Sequence, residues 1–126
     1  MLHKPLCRVS LDETAPSISY VPATARRRLL QAMAIMDVRA VLSGHRHQHL
    51  DRVIGGVRHV WLPSTAFYLP DSIQDRLGEK VTGLAVLELG ENELRCELVC
   101  PDGVQRHDIL DHPIYPEIEH GRTQLR

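Results

Sequence analysis

The chain has 126 residues, 15 of them Lys or Arg and 16 Asp or Glu, for a net charge of −1, and 43% are apolar. That length suits one domain with a buried core, and the near-neutral balance points to neither a nucleic-acid partner nor a membrane surface. No apolar run approaches the ~20 residues of a spanning helix, and the opening "MLHKPLCRVS" lacks the apolar stretch of a secretory signal.

In chain order, residues 1–9 read as a short strand and a turn. Residues 10–23, "SLDETAPSISYVPA", carry two prolines and several small polar residues and read as a loop. Thr24 is placed to cap a helix over Ala25–Asp37, with Ala25, Leu29, Met33 and Met36 as its core-facing stripe. Arg26, Arg27 and Arg28 spread around the first turn, which predicts a solvated surface. Val38–Ser43 is nearly unbroken apolar sequence. With a helix before it, it reads as a buried, parallel strand that Gly44 ends. "DRVIGGVRHVWL" predicts a hairpin turning at Gly55–Gly56. "TGLAVLELGENELRCELVCPDG" predicts a second, turning at Gly90–Asn92. The polar tail after Gly103, with Pro113 and Pro116, reads as irregular. One helix and about six strands make a mixed α/β chain.

The cysteines are Cys7, Cys96 and Cys100. Leu94, Cys96, Leu98 and Cys100 share one strand parity, with Arg95 and Glu97 on the other. Four residues of strand span roughly 13 Å, too far for Cys96 and Cys100 to form a disulfide or share a metal. Cys96 and Cys100 are expected as buried core thiols, in a reduced cytoplasmic compartment.

The chemistry lies in "SGHRHQHLD". His45 and His47 follow Gly44 at the carboxyl end of the predicted strand, where ligands sit in open α/β sheets. In extended chain, residues two apart face one side. Their imidazoles can therefore serve one metal, or two ions held roughly 3.5–4 Å apart. His59, His107, His112 and His120 form no constellation and are expected in structural or surface roles; His49 closes the cluster without a role assigned to it.

"AVLSGHRHQ", the glycine hairpin and "WLPST" together resemble the last signature of the calcineurin-like metallophosphoesterases, di-metal hydrolases of phosphomonoesters and phosphodiesters. "LHKP" at Leu2–Pro5 resembles their preceding signature, a strand-end histidine followed by proline. "LPDSIQDRLGEKVTGLAVLEL" is similar to the closing strands of bacterial members. The resemblance covers about residues 1–100, leaving 104–126 as a tail. It implies an α/β fold: the C-terminal half of a layered α-β-β-α sandwich. It also implies that His3 and His45 ligate one metal, that His47 ligates the other, and that Arg46 faces a phosphate. Ser64 and Thr65 lie in a loop near the pocket and read as turn residues. The implied cofactors are two divalent ions, Mn, Fe or Zn.

The family's earlier signatures, Asp-x-His, Gly-Asp and Gly-Asn-His, do not occur in these 126 residues. Three neutral histidines offset none of the charge of two divalent ions. This chain alone is therefore expected to hold at most one ion, weakly. Half a sandwich also leaves strand edges and apolar surface open. The expected partners are a phosphoester substrate and either a separate N-terminal half or a second copy. The alternative function is a non-catalytic metal- or protein-binding module derived from the same fold.

Overall fold

The computed structural model describes residues 1–91 and 93–111. Asn92 of the second turn and the tail from His112, with Pro113, Pro116 and His120, lie outside the described residues. Helix α1 spans Ala23–Ala34. Five strands follow: β1 (Ala40–Ser43), β2 (Leu50–Ile54), β3 (Val57–Trp61), β4 (Leu84–Leu89) and β5 (Leu94–Val99). A 3-10 turn closes Ile109–Asp111. No helix among the described residues is long and apolar enough to cross a membrane. The chain divides into two compact units, residues 1–46 with 50–62, and residues 47–49 with 63 onward.

The first unit is built on a three-stranded sheet in the order β1-β3-β2. β1 runs parallel to β3, as its apolar sequence after a helix predicts, and β2 pairs antiparallel with β3. The β2–β3 turn is Gly55–Gly56, with φ of 60° and 79°. Two consecutive positive φ angles suit a tight hairpin turn and favour glycine at both positions. Register places Val41, His59 and Arg52 side by side on one sheet face, with Ser43, Trp61 and Leu50 beside them. Val41, Ser43, His59 and Trp61 are buried there, and the core adds Leu6, Cys7 and Tyr20. Arg52 lies over the Trp61 ring at 5.1 Å and donates to Arg8 O at 2.5 Å. On the opposite face Arg58 grips Asp51 through two bonds of 2.9 and 2.6 Å.

The helix departs from the sequence expectation at three points. It starts at Ala23, with Pro22 in the cap position and no side-chain cap, so Thr24 lies inside it. Proline supplies a fixed φ and needs no N–H there. It stops at Ala34, leaving Met36 exposed; of the rest of the expected core-facing stripe, Ala25 is exposed and Leu29 and Met33 are only half-buried. Arg26 is 4% exposed rather than solvated. Its guanidinium donates to the carbonyls of Leu6 (2.9 Å), Leu11 (2.8 Å), Val21 (3.4 Å) and Glu13. The loop before the helix needs donors for its inward-facing carbonyls, and a helix-borne guanidinium supplies several at once. Glu13 closes the same loop from the other side, accepting from the backbone N–H groups of Arg8, Val9 and Ser10 at 2.9, 2.6 and 2.9 Å. Burial opposes its ionised form, but those three donors and Arg26 outweigh it and hold the carboxyl below the usual glutamate range.

The second unit holds the β4–β5 ribbon, paired antiparallel from Leu84↔Val99 to Leu89↔Leu94. Gly83 begins it at a close approach: a Cβ there would come 2.6 Å from Val99 O. Val81, Thr82 and Ile109 are buried in this unit. Neither thiol expected in the core is fully buried: Cys96 is half-buried and Cys100 exposed, whereas Cys7 is buried in the first unit. Strand parity does put Leu94, Cys96 and Leu98 on one face, but a two-stranded ribbon does not bury that face along its whole length. Residues 1–9 form no strand, only an isolated parallel bridge from Leu2 to Ser43.

Candidate metal centre

That bridge is what brings the first two histidines together. Leu2 N–H donates to Leu42 O at 2.8 Å, and Gly44 N–H donates to His3 O at 3.1 Å. The N-terminal segment thereby lies along β1, and His3 and His45 both emerge at the carboxyl end of that strand. Their rings meet edge to face, centroids 4.9 Å apart and planes at 61°. His3 is exposed and His45 half-buried, so the pair is open to solvent on the His3 side.

The backbone around them is unusual. His45 has φ of 67° and His47 has φ of 49°. Both are left-handed conformations that cost a non-glycine residue about 1–2 kcal/mol. Gly44, which sequence marks as the flexible position, has no positive φ; the histidines themselves make the turn. Such outliers persist where the surroundings over-determine them, and they cluster at functional sites.

Arg46 shows what does the determining in the first unit. It is 4% exposed, and its Nη1 donates to Ser19 Oγ at 3.1 Å. Its guanidinium lies over the Tyr20 ring at 5.3 Å. Tyr20 in turn packs against Trp61, centroids 6.0 Å apart. Arg46, for which a phosphate-facing role is implied, is placed here with its charge against an aromatic face and a hydroxyl.

His47 belongs to the second unit. Its ring packs on Phe67, centroids 4.8 Å apart, and its Nδ1 lies 3.0 Å from Phe67 O. A carbonyl only accepts, so Nδ1 carries the proton and Nε2 keeps the lone pair that a metal would take. Metal-ligating histidines are commonly fixed this way. Ser64 Oγ accepts from the N–H groups of Ala66 (3.1 Å) and Phe67 (3.4 Å), a turn role as sequence predicts.

Sequence reading missed Gln48, which is 0% exposed. Its Nε2 donates to Gln74 Oε1 (2.5 Å) and Asp75 O (2.9 Å). Its Oε1 accepts from the N–H groups of Leu77 and Gly78, both at 2.9 Å. His49, one residue on, exchanges two backbone bonds of 2.8 Å with Glu79. A glutamine between two histidines gives no periodic signal, so nothing in the sequence marks this clamp.

The donor set fits one ion in part. His3 and His45 offer two adjacent imidazoles in the first unit; as ligands they would bring no negative charge and no bridging oxygen. Among the described residues, no group of three or more His, Cys, Asp or Glu side chains is placed to hold a metal. Compared with protein-family models, with curated proteins and with solved structures, the chain has no match in any of the three.

Proposed function

We propose that this chain carries the C-terminal ligands of a calcineurin-like metallophosphoesterase, a metal-dependent hydrolase of phosphomonoesters or phosphodiesters. The fold read this way is the C-terminal half of that family's α-β-β-α sandwich. His3 and His45 ligate one divalent ion and His47 a second. The observation that carries the reading is the 4.9 Å pairing of His3 with His45, two residues distant in sequence that the resemblance assigns to a single ion. The positive φ at His45 and His47 and the Phe67 carbonyl on His47 Nδ1 support it.

The residues of this chain position ligands. Phe67 O fixes the His47 tautomer. Arg46, on Ser19 and Tyr20, anchors the loop that holds His45. Divalent ions, when bound, polarise phosphoryl oxygens and activate water near neutral pH. In this reading the bridging carboxylate and the leaving-group acid come from signatures outside these 126 residues.

A second reading is a binding module that keeps the histidines without catalysis. It rests on His3, His45 and His47 being present without the carboxylate signatures that hydrolysis needs. Elemental analysis of the purified chain, beside hydrolysis of a chromogenic phosphodiester with added manganese, separates the two. Bound metal with turnover, or turnover gained on adding the missing half, supports the hydrolase. Bound metal without turnover in either setting supports the module. No metal at all, with or without the other half, overturns the hydrolase and leaves the module as a protein-binding one only.

A further inference from the structure

The outer edge of β4 is laid out for pairing. Gly90 N–H donates to Glu93 O at 2.8 Å, so the bonds between β4 and β5 alternate from that pair. They fall at Glu88 and Arg95, Val86 and Glu97, and Leu84 and Val99. The backbone groups of Ala85, Leu87 and Leu89 therefore point away from β5. Among the described residues, none of the three bonds to another backbone segment. Just before them on the same side, Gly83 N–H is taken by Ser64 O at 3.0 Å. The strand also shows apolar surface: Leu89 is 83% exposed, Val86 43% and Leu84 39%. A two-stranded ribbon is marginal by itself, and an open edge of this kind recruits another strand.

We propose that the β4 edge pairs antiparallel with the β4 edge of a second copy of this chain, about a two-fold axis at Leu87. In that register Leu87 faces the partner's Leu87, and Ala85 faces the partner's Leu89. All three outward-pointing residues then meet outward-pointing partners, and a small side chain lies opposite a large one. An axis at Val86 would set Leu89 against the partner's Gly83, whose N–H is already bound. An axis at Glu88 would set two carboxylates face to face, which is destabilising. The Leu87 axis avoids both and puts Glu88 opposite the partner's Val86. Each copy ends its strand at Leu89, opposite Ala85, before the position that Ser64 occupies. The contact is isologous and closes at two copies, forming a four-stranded antiparallel sheet. It is independent of whether His3 and His45 hold a metal.

Sedimentation equilibrium of the full chain over a concentration series tests this, with amide exchange on the same samples. Dimer is expected, with the amides of Ala85, Leu87 and Leu89 gaining protection as it forms. Leu87→Lys should weaken association about tenfold or more, because like charges meet at the axis. Leu87→Glu should do the same. An equimolar mixture of the two variants should restore the dimer, since opposite charges then meet. That rescue separates lost pairing from a damaged fold. Wild-type chain that stays monomeric at millimolar concentration overturns the proposal. So does a dimer with those three amides unprotected, one indifferent to both variants, or a variant mixture that fails to associate.

Discussion

His3 rests edge to face on His45, ring centroids 4.9 Å apart, because the Leu2–Ser43 bridge lays the N-terminal segment along β1. The contact is long-range in sequence and rests on two backbone hydrogen bonds. Isothermal titration with zinc should find one ion bound in the first unit. His3→Ala and His45→Ala should each weaken it by at least about tenfold, the scale seen even for outer-shell partners of metal ligands. Affinity should fall on acidification, because an imidazole must be neutral to ligate. Unchanged binding in both variants would remove the pair from consideration as ligands.

Gln48 satisfies both of its donors and its acceptor oxygen on residues 74–78. Gln48→Leu should destabilise the chain by about 2–3 kcal/mol in urea unfolding, since buried amides and carbonyls lose their partners. Gln48→Glu keeps the acceptor for Leu77 and Gly78 and should recover part of that loss. If the clamp also orients the neighbouring histidine, the ring nitrogen NMR shifts of His47 will move in Gln48→Leu and return toward wild type in Gln48→Glu. A stability change with the His47 signals unmoved would confine Gln48 to a structural role.

Arg26→Ala should cost about 2–4 kcal/mol, because it strands several loop carbonyls that its guanidinium now serves. Arg26→Lys should recover only a fraction, an ammonium lacking the planar fork that spans separate acceptors. Thermal denaturation of the two variants checks the order. Equal stability of Arg26→Ala and wild type would contradict the burial of this side chain.

His59 is 3% exposed in the central strand. Burial, and then the positive charge of Arg52, hold it below the usual histidine range, against a backbone hydrogen bond at Ile54 that pulls the other way. Its folded form thus resists the proton that the unfolded chain accepts near pH 6.5. Its contribution to stability is whole above that pH and is lost progressively as pH falls toward the lowered folded value. Melting temperatures at about pH 7.5 and about pH 5 should differ less in His59→Leu than in wild type. Parallel curves for the two proteins would refute this.

Much of the fold was legible from local pattern. The Gly55–Gly56 turn, the parallel β1 and the β4–β5 ribbon each follow from glycine placement and apolar runs, which act within a few residues. The helix was legible as a helix but not in its details. Thr24 is a good cap by type, yet Pro22 set the start, and Arg26 went inward because the carbonyls of the preceding loop needed its donors. The cysteine face failed at Cys100, since strand parity says which side a residue takes and not whether anything covers that side.

The sequence by itself determined which residues have the chemistry to ligate a metal and that the β2–β3 hairpin turns at Gly55–Gly56, because imidazole chemistry and glycine's backbone freedom belong to the residue. Only the tertiary structure decided that His3 meets His45, that Arg46 turns inward to Ser19 and Tyr20, and that Gln48 holds residues 74–78. Each of these joins segments far apart in the chain. Such contacts depend on which distant segments the folded backbone brings side by side, and no local pattern of residues records that.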